Sequence, residues 1–113
     1  MEINEREIKD ICIISVSGRM EDADAKELQT KLNSIMTKDI LKIIIDLAYL
    51  EYISSSGLRV LLAALKNQKQ KHGFIEVASL QPFVEKIFRK TGLDRVFIIH
   101  PNEEAAIHYL SSS

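Results

Sequence analysis

The chain has 113 residues, 46% of them hydrophobic, and a formal net charge of −1. That is enough apolar material for one compact domain over residues 1–113 and too little length for a second. Charges of both signs are spread along the sequence, which leaves no electrostatic footprint for nucleic acid or an anionic membrane surface, and no apolar run is long enough to span a bilayer.

The first strand is expected at Ile3 to Ile8, pairing through Lys9-Asp10 with a second at Ile11 to Val16 that runs into a Ser17-Gly18 turn. Cys12, the only cysteine, sits among isoleucines there and reads as a small buried hydrophobe in a reducing compartment. With no apolar leader after Met1, a cytoplasmic location is expected. From Asp24, the residues Ala25, Leu28, Leu32, Ile35 and Met36 recur at helical spacing, with Asp22 or Asp24 as N-cap. Ile40 to Leu47, unbroken at Ile43-Ile44-Ile45, fits a strand buried on both faces.

Next come Ser54-Ser55-Ser56-Gly57 and a helix expected from Ser56 to Lys71, with Leu58, Leu61, Leu62 and Leu65 as its core stripe and Gly73 as its left-handed cap. Arg59, Lys66, Lys69 and Lys71 read as a solvated face. Phe74 to Val77 is a short strand. Pro82 opens a third helix with Phe83, Ile87 and Phe88 on its apolar face, and Gly92 closes it. Val96 to Ile99 reads as the last strand. Glu103 and Glu104 open a final helix through Ala106, Ile107 and Leu110, leaving Ser111 to Ser113 as a disordered tail. Strand and helix alternate through the second half, which demands parallel strands, whereas the first two form a hairpin. The fold class is therefore α/β: a mixed sheet of four to five strands with about four helices, the main ones packed on one face.

Enzyme chemistry finds little support. The glycines at 18, 57, 73 and 92 stand too far apart for a phosphate loop, so no nucleotide cofactor or small-molecule substrate is expected. His72, His100 and His108 lack metal-ligand spacing and read as surface or helix-end residues, so no metal site is expected. Ser55 with Asp46 and His100 could be drawn as a triad, yet a nucleophile elbow needs glycines on both sides of the serine, and Ile53 and Ser54 precede this one. No catalytic residue is assigned.

Two readings of the three serines stay open on the residues alone. They can be a plain N-cap. They can also be a modification site, because phosphate adds about −1.5 to −2 charge at pH 7 and a helix N-terminus favours negative charge, so the protein need not unfold when modified. Opposite the leucine stripe, Val60, Ala63, Ala64 and Asn67 are small or apolar residues expected to face away from the sheet as a partner surface, unless alanine is there only for its helix propensity.

The stretch from Ile43 to Leu62, Ile-Ile-Ile-Asp-Leu-Ala-Tyr-Leu-Glu-Tyr-Ile-Ser-Ser-Ser-Gly-Leu-Arg-Val-Leu-Leu, resembles the signature of the STAS family of anti-sigma factor antagonists. That signature is an aliphatic strand, D-L-S-x-V-x-[FY]-[IM]-D-S-[SAT]-G-L-x-x-L, and a helix. Leu93-Asp94-Arg95-Val96-Phe97 is similar to the family's L-D-x-[VIL]-F segment. The resemblance implies partner switching without an active site or bound cofactor. The unmodified protein binds an anti-sigma factor, a serine kinase of the histidine-kinase-like ATPase class, and so frees a sigma factor for transcription. The kinase then phosphorylates a serine in the turn, and a PP2C-type phosphatase removes the phosphate. Aligning Gly57 on the motif glycine puts Ser55 on the phosphoacceptor, Ser56 on the variable small position and Ser54 where the family has aspartate, with Ser54 and Ser56 as lesser acceptor candidates. The implied partner surface is Ser54 to Gly57 with Arg59, Val60, Ala63, Ala64 and Asn67. The alternative, kept alive by serine at position 54, is an unphosphorylated scaffold subunit of a stressosome-like or lipid-transport ATPase complex.

Overall fold

In the computed structural model, which describes residues 1–112, two strands open the chain: β1 at Glu2–Ile8 and β2 at Ile11–Met20. They pair antiparallel with Ile8 opposite Ile11, the hairpin turning at Lys9 with φ 56°. Helix α1 (Asp22–Met36) follows, then β3 (Lys42–Ile53), α2 (Ser55–Gln70), β4 (Phe74–Ala78), α3 (Pro82–Thr91), a 3-10 turn at Leu93–Arg95, β5 (Ile99–His100) and α4 (Glu103–Ser111). The five strands lie in the order β1-β2-β3-β4-β5, and every pair after the hairpin is parallel. This is the expected mixed α/β sheet.

The strand pleat sends alternate residues to opposite faces, and both faces are covered. Cys12, Ile14, Ile43, Ile45, Ile75 and Val77 pack beneath α1, α2 and α3. Ile11, Ile13, Ile44 and Ala78 pack under α4 through Ala106 and Leu110. Ile43, Ile44 and Ile45 are therefore all fully buried, as a central strand requires.

Several boundaries differ from expectation. β2 continues four residues beyond Val16 to Met20, and Gly18 with φ 88° marks an irregularity in the strand instead of its end. β3 likewise runs past Leu47 to Ile53, because the longer β2 gives it a partner: Tyr52 lies beside Arg19 and Ile53 beside Met20. The N-cap of α1 is Glu21, whose N–H donates to the Asp24 carboxylate at 2.8 Å, so Asp24 serves the cap from within the helix. α2 begins at Ser55 and ends at Gln70, with Lys71 as its cap. Leu62 is half-exposed and leaves the core stripe, which Gln68 completes.

His72, not Gly73, takes the left-handed conformation after α2, with φ 60°. Gly73 is small for a different reason, since a Cβ there would lie 2.9 Å from the Leu41 carbonyl. Phe83 is 55% exposed, and α3 buries Val84 in its place beside the expected Phe88, with Ile87 partly buried against the core. Val96 and Ile98 are exposed loop residues, because the 3-10 turn delays β5 to Ile99. His100 is buried and hydrogen-bonded to Glu76 at 2.6 Å, contrary to the surface placement expected of it. Ser111 belongs to α4 and Ser112 caps it, while Ser113 of the expected tail lies outside the described residues.

Candidate partner-binding site

The end of β3 and the start of α2 place the three serines side by side in three different environments. Ser54 has extended backbone and is the N-cap: its Oγ accepts from the Gly57 N–H at 3.2 Å and its carbonyl accepts from Leu58 N–H at 3.0 Å. Its own N–H donates to the Met20 carbonyl at 2.9 Å, tying the turn to the end of β2. With 6% exposure and every group committed, Ser54 is a structural residue. Aspartate at this position would cap by the same geometry, since Asn, Asp and Ser are near-equal N-caps.

Ser55 is the first residue of α2 and is exposed. Among the described residues its hydroxyl takes part in no hydrogen bond, and it stands at the positive end of a 16-residue helix. Ser56 is half-buried, also without a side-chain hydrogen bond. Gly57 is buried, and it is there for space: a Cβ would come within 2.5 Å of Met20 Sδ and 2.8 Å of Ile53 Cγ1.

Further along α2, Arg59, Ala63 and Asn67 are exposed and Val60 is half-buried. Ala64 is 3% exposed, which overturns its expected place on a free surface. The cause is α1. Val60, Ala63, Ala64 and Asn67 face Leu32, Asn33 and Met36 across a crevice of only about 70 Å³, so the small side chains let the two helices approach. The accessible part of the face is thus Ser55, Ser56, Arg59, Ala63 and Asn67.

Sequence reasoning missed a neighbouring aromatic shelf. The Arg19 guanidinium lies 4.5 Å from the centroid of the Tyr52 ring, and Tyr52 stacks on Phe83 at 6.4 Å. Arg19 Nε also donates to Glu21 at 3.1 Å. Gln81 Nε2 donates to the Ala48 carbonyl at 2.8 Å, fixing the start of α3, and with it Phe83, against β3. The trace in the sequence was the alternation of Leu50 and Tyr52 with Tyr49 and Glu51, which extends the strand beyond its expected end at Leu47.

The triad drawn from Ser55, Asp46 and His100 does not assemble. Asp46 Oδ1 accepts from Ala48 N–H at 3.0 Å and His100 is engaged by Glu76. Among the described residues no cluster of three or more His, Cys, Asp or Glu could hold a metal, and no helix is long and apolar enough to cross a membrane.

Comparison with known proteins agrees with this geometry. BtrV of Bordetella bronchiseptica, named provisionally as an anti-sigma factor antagonist, is 31% identical over 94% of this chain and 91% of its own length. An anti-sigma factor antagonist from Mycobacterium paratuberculosis has a similar crystal structure, with a TM-score of 0.88 at 23% identity over 96% of this chain and 92% of that one. The phosphorylated form of SpoIIAA from Bacillus superposes with a TM-score of 0.77 at 18% identity, over 96% and 99% of the two chains. The STAS domain model matches residues 2–106, and with that span covering all five strands and the serine turn, the chain belongs to the STAS domain family.

Proposed function

We propose that this protein is an anti-sigma factor antagonist that works by partner switching, with Ser55 as the phosphorylated residue. The observation that carries the reading is the division of labour in the turn: Ser54 is consumed by the cap, whereas Ser55 offers an exposed, unbonded hydroxyl at the helix start. Relatives named as antagonists of anti-sigma factors supply the partner class. In the unmodified state an anti-sigma factor serine kinase covers Ser55, Ser56, Arg59, Ala63 and Asn67, with Val60 at the edge. The kinase transfers the γ-phosphoryl group of ATP to Ser55 Oγ, releasing ADP, and a PP2C-type phosphatase hydrolyses the ester. The protein itself is a regulatory binder in the cytoplasm and performs no catalysis.

The physics of the switch is asymmetric between the fold and the complex. Within the protein, phosphate at Ser55 meets the free N–H groups and the positive dipole end of α2 and is tolerated. Under a bound partner the same charge must lose its water, so the complex is weakened instead.

The test is phosphorylation of purified wild type, Ser54→Ala, Ser55→Ala and Ser56→Ala by the cognate kinase with ATP. Incorporation is expected in all but Ser55→Ala, and full incorporation in that variant would reject the assignment. Ser55→Glu should melt at or slightly above the wild-type temperature, yet bind the kinase at least tenfold more weakly by calorimetry.

A further inference from the structure

At the end of the sheet where β3 and β4 begin, opposite the end that carries Ser55, lies an apolar cavity of about 430 Å³. This is within the range of about 300–1,000 Å³ usual for small-molecule sites. Its walls are Leu65, Phe74, Ile75, Val96 and Ile98. Val96 and Ile98 are 44% and 45% exposed, which makes this one of the places where large aliphatic side chains meet water. The cavity exists because β5 pairs only with Val77 and Ala78, so the loop before it crosses the edge of β4 without forming a strand.

The exposed polar side chains on this cavity's own rim are basic. Lys69 and His72 line the cavity, are exposed, and have no ion-pair or side-chain hydrogen-bond partner among the described residues. Glu76, the one acidic residue on the wall, is 3% exposed and already engaged by His100 Nε2 at 2.6 Å. Gln68 Nε2 donates to the carbonyls of Ile40 at 3.1 Å and Phe74 at 3.3 Å, so the walls are fixed before anything binds. A second cavity of about 360 Å³ shares His72 and Phe74 with the first and is lined further by Ile40 and Leu41, by Asp39, and by Asp10 and Lys42, which pair with each other at 3.2 Å, so the basic mouth is the Lys69 side of His72.

An apolar cleft with donors at one mouth fits a molecule with an aliphatic tail and a single anionic end. We infer that this cleft binds a medium-chain acyl carboxylate, its chain against Ile75, Val96 and Ile98 and its carboxylate at Lys69 and His72. The site is independent of Ser55 and would give the protein a second input at the far end of the sheet.

The test is a titration of full-length protein with hexanoate, octanoate and decanoate below their micelle concentrations, followed by methyl resonances. Saturable 1:1 shifts are expected at Ile75, Val96 and Ile98, with affinity rising about fourfold per added CH₂. Lys69→Glu should weaken decanoate binding at least tenfold while leaving decanol within twofold, and Ile98→Asp or Val96→Asp should abolish both. Those two positions face solvent, so melting temperature checks that each variant is folded. The inference is overturned if no saturable shift appears or if Lys69→Glu leaves decanoate binding unchanged. Preference for phosphatidylglycerol vesicles over free decanoate would also overturn it. So would a dimer by sedimentation that Ile98→Asp dissociates and decanoate does not, since a second copy would then fill the cleft.

Discussion

Gly57 stands so close to Met20 that a Cβ at residue 57 would lie 2.5 Å from the methionine sulfur. The contact locks the first turn of α2 onto the last residue of β2, which the Ser54 N–H also holds through the Met20 carbonyl. The position of the serines relative to the sheet thus depends on an absent side chain.

Gly57→Ala is therefore expected to destabilise the protein despite the better helix propensity of alanine, which is worth about 1 kcal/mol in the opposite direction. Overpacking costs about 1–3 kcal/mol, and the flexible thioether can relieve part of it while Ile53, 2.8 Å away, cannot move as easily. A net loss of up to about 2 kcal/mol in urea unfolding is predicted. Met20→Ala in the same chain should make the glycine substitution cheaper, and strict additivity of the two changes would show that the contact is not the cause.

Ser54→Ala removes the acceptor for the Gly57 N–H and should cost about 1 kcal/mol, with about 2 as the upper end. Ser54→Asp, which restores the family residue, should retain most of that stability, because a carboxylate oxygen can take the same bond. Chemical denaturation of the pair decides it: equal losses in both variants would mean that the hydroxyl contributes through packing alone.

The fold was legible wherever the local signal admitted one structure. Ile43-Ile44-Ile45 announced a central strand, and Gly92, with φ 80°, ended α3 where expected. Legibility failed where tertiary contacts decided. The ends of β2 and β3 extend only because each gives the other a partner. The alanines of α2 looked like a free surface until α1 was in place, since nothing local reveals which helix a small residue will face. His100 and Glu76 lie 24 positions apart, and only the pairing of β4 with β5 brings them together. At the candidate site the motif located the turn and aligned Ser55 with the acceptor position, but the commitment of Ser54 to the cap needed the tertiary geometry.

Cys12 gives a chemical prediction. Burial pushes its thiol up to about 11, and the Glu5 carboxylate, 3.8 Å from Sγ, adds to the shift. From an ordinary value of 9.0, that lowers the thiolate fraction near neutral pH on the order of a hundredfold, and 1% exposure blocks access besides. Native protein at pH 8 should react with a disulfide reagent at least a hundredfold more slowly than denatured protein. Glu5→Gln should change this little, because burial is the larger cause. A large acceleration in that variant would reverse the order of the two.

The pairing of Glu5 with Lys31 predicts how one part of the stability depends on pH. Their atoms lie 2.7 Å apart, and the hydrogen bond and charge of Lys31 hold the Glu5 carboxyl below its usual 4.5, while Glu5 raises the Lys31 ammonium above 10.5. A depressed carboxyl stabilises the fold fully above 4.5 and loses that contribution as pH falls through the lower folded value. A raised ammonium does the reverse, contributing fully below 10.5 and losing it as pH rises through the higher folded value. The stability difference between wild type and Lys31→Met should therefore be flat between 4.5 and 10.5 and shrink on both sides. Both groups are largely solvated, so the difference should be small at any pH and should fall further as salt is added. Urea unfolding of the two proteins across pH, at low and high salt, measures it. A difference that persists unchanged in strong acid would mean that the lysine stem, packing against the sheet edge, matters more than its charge.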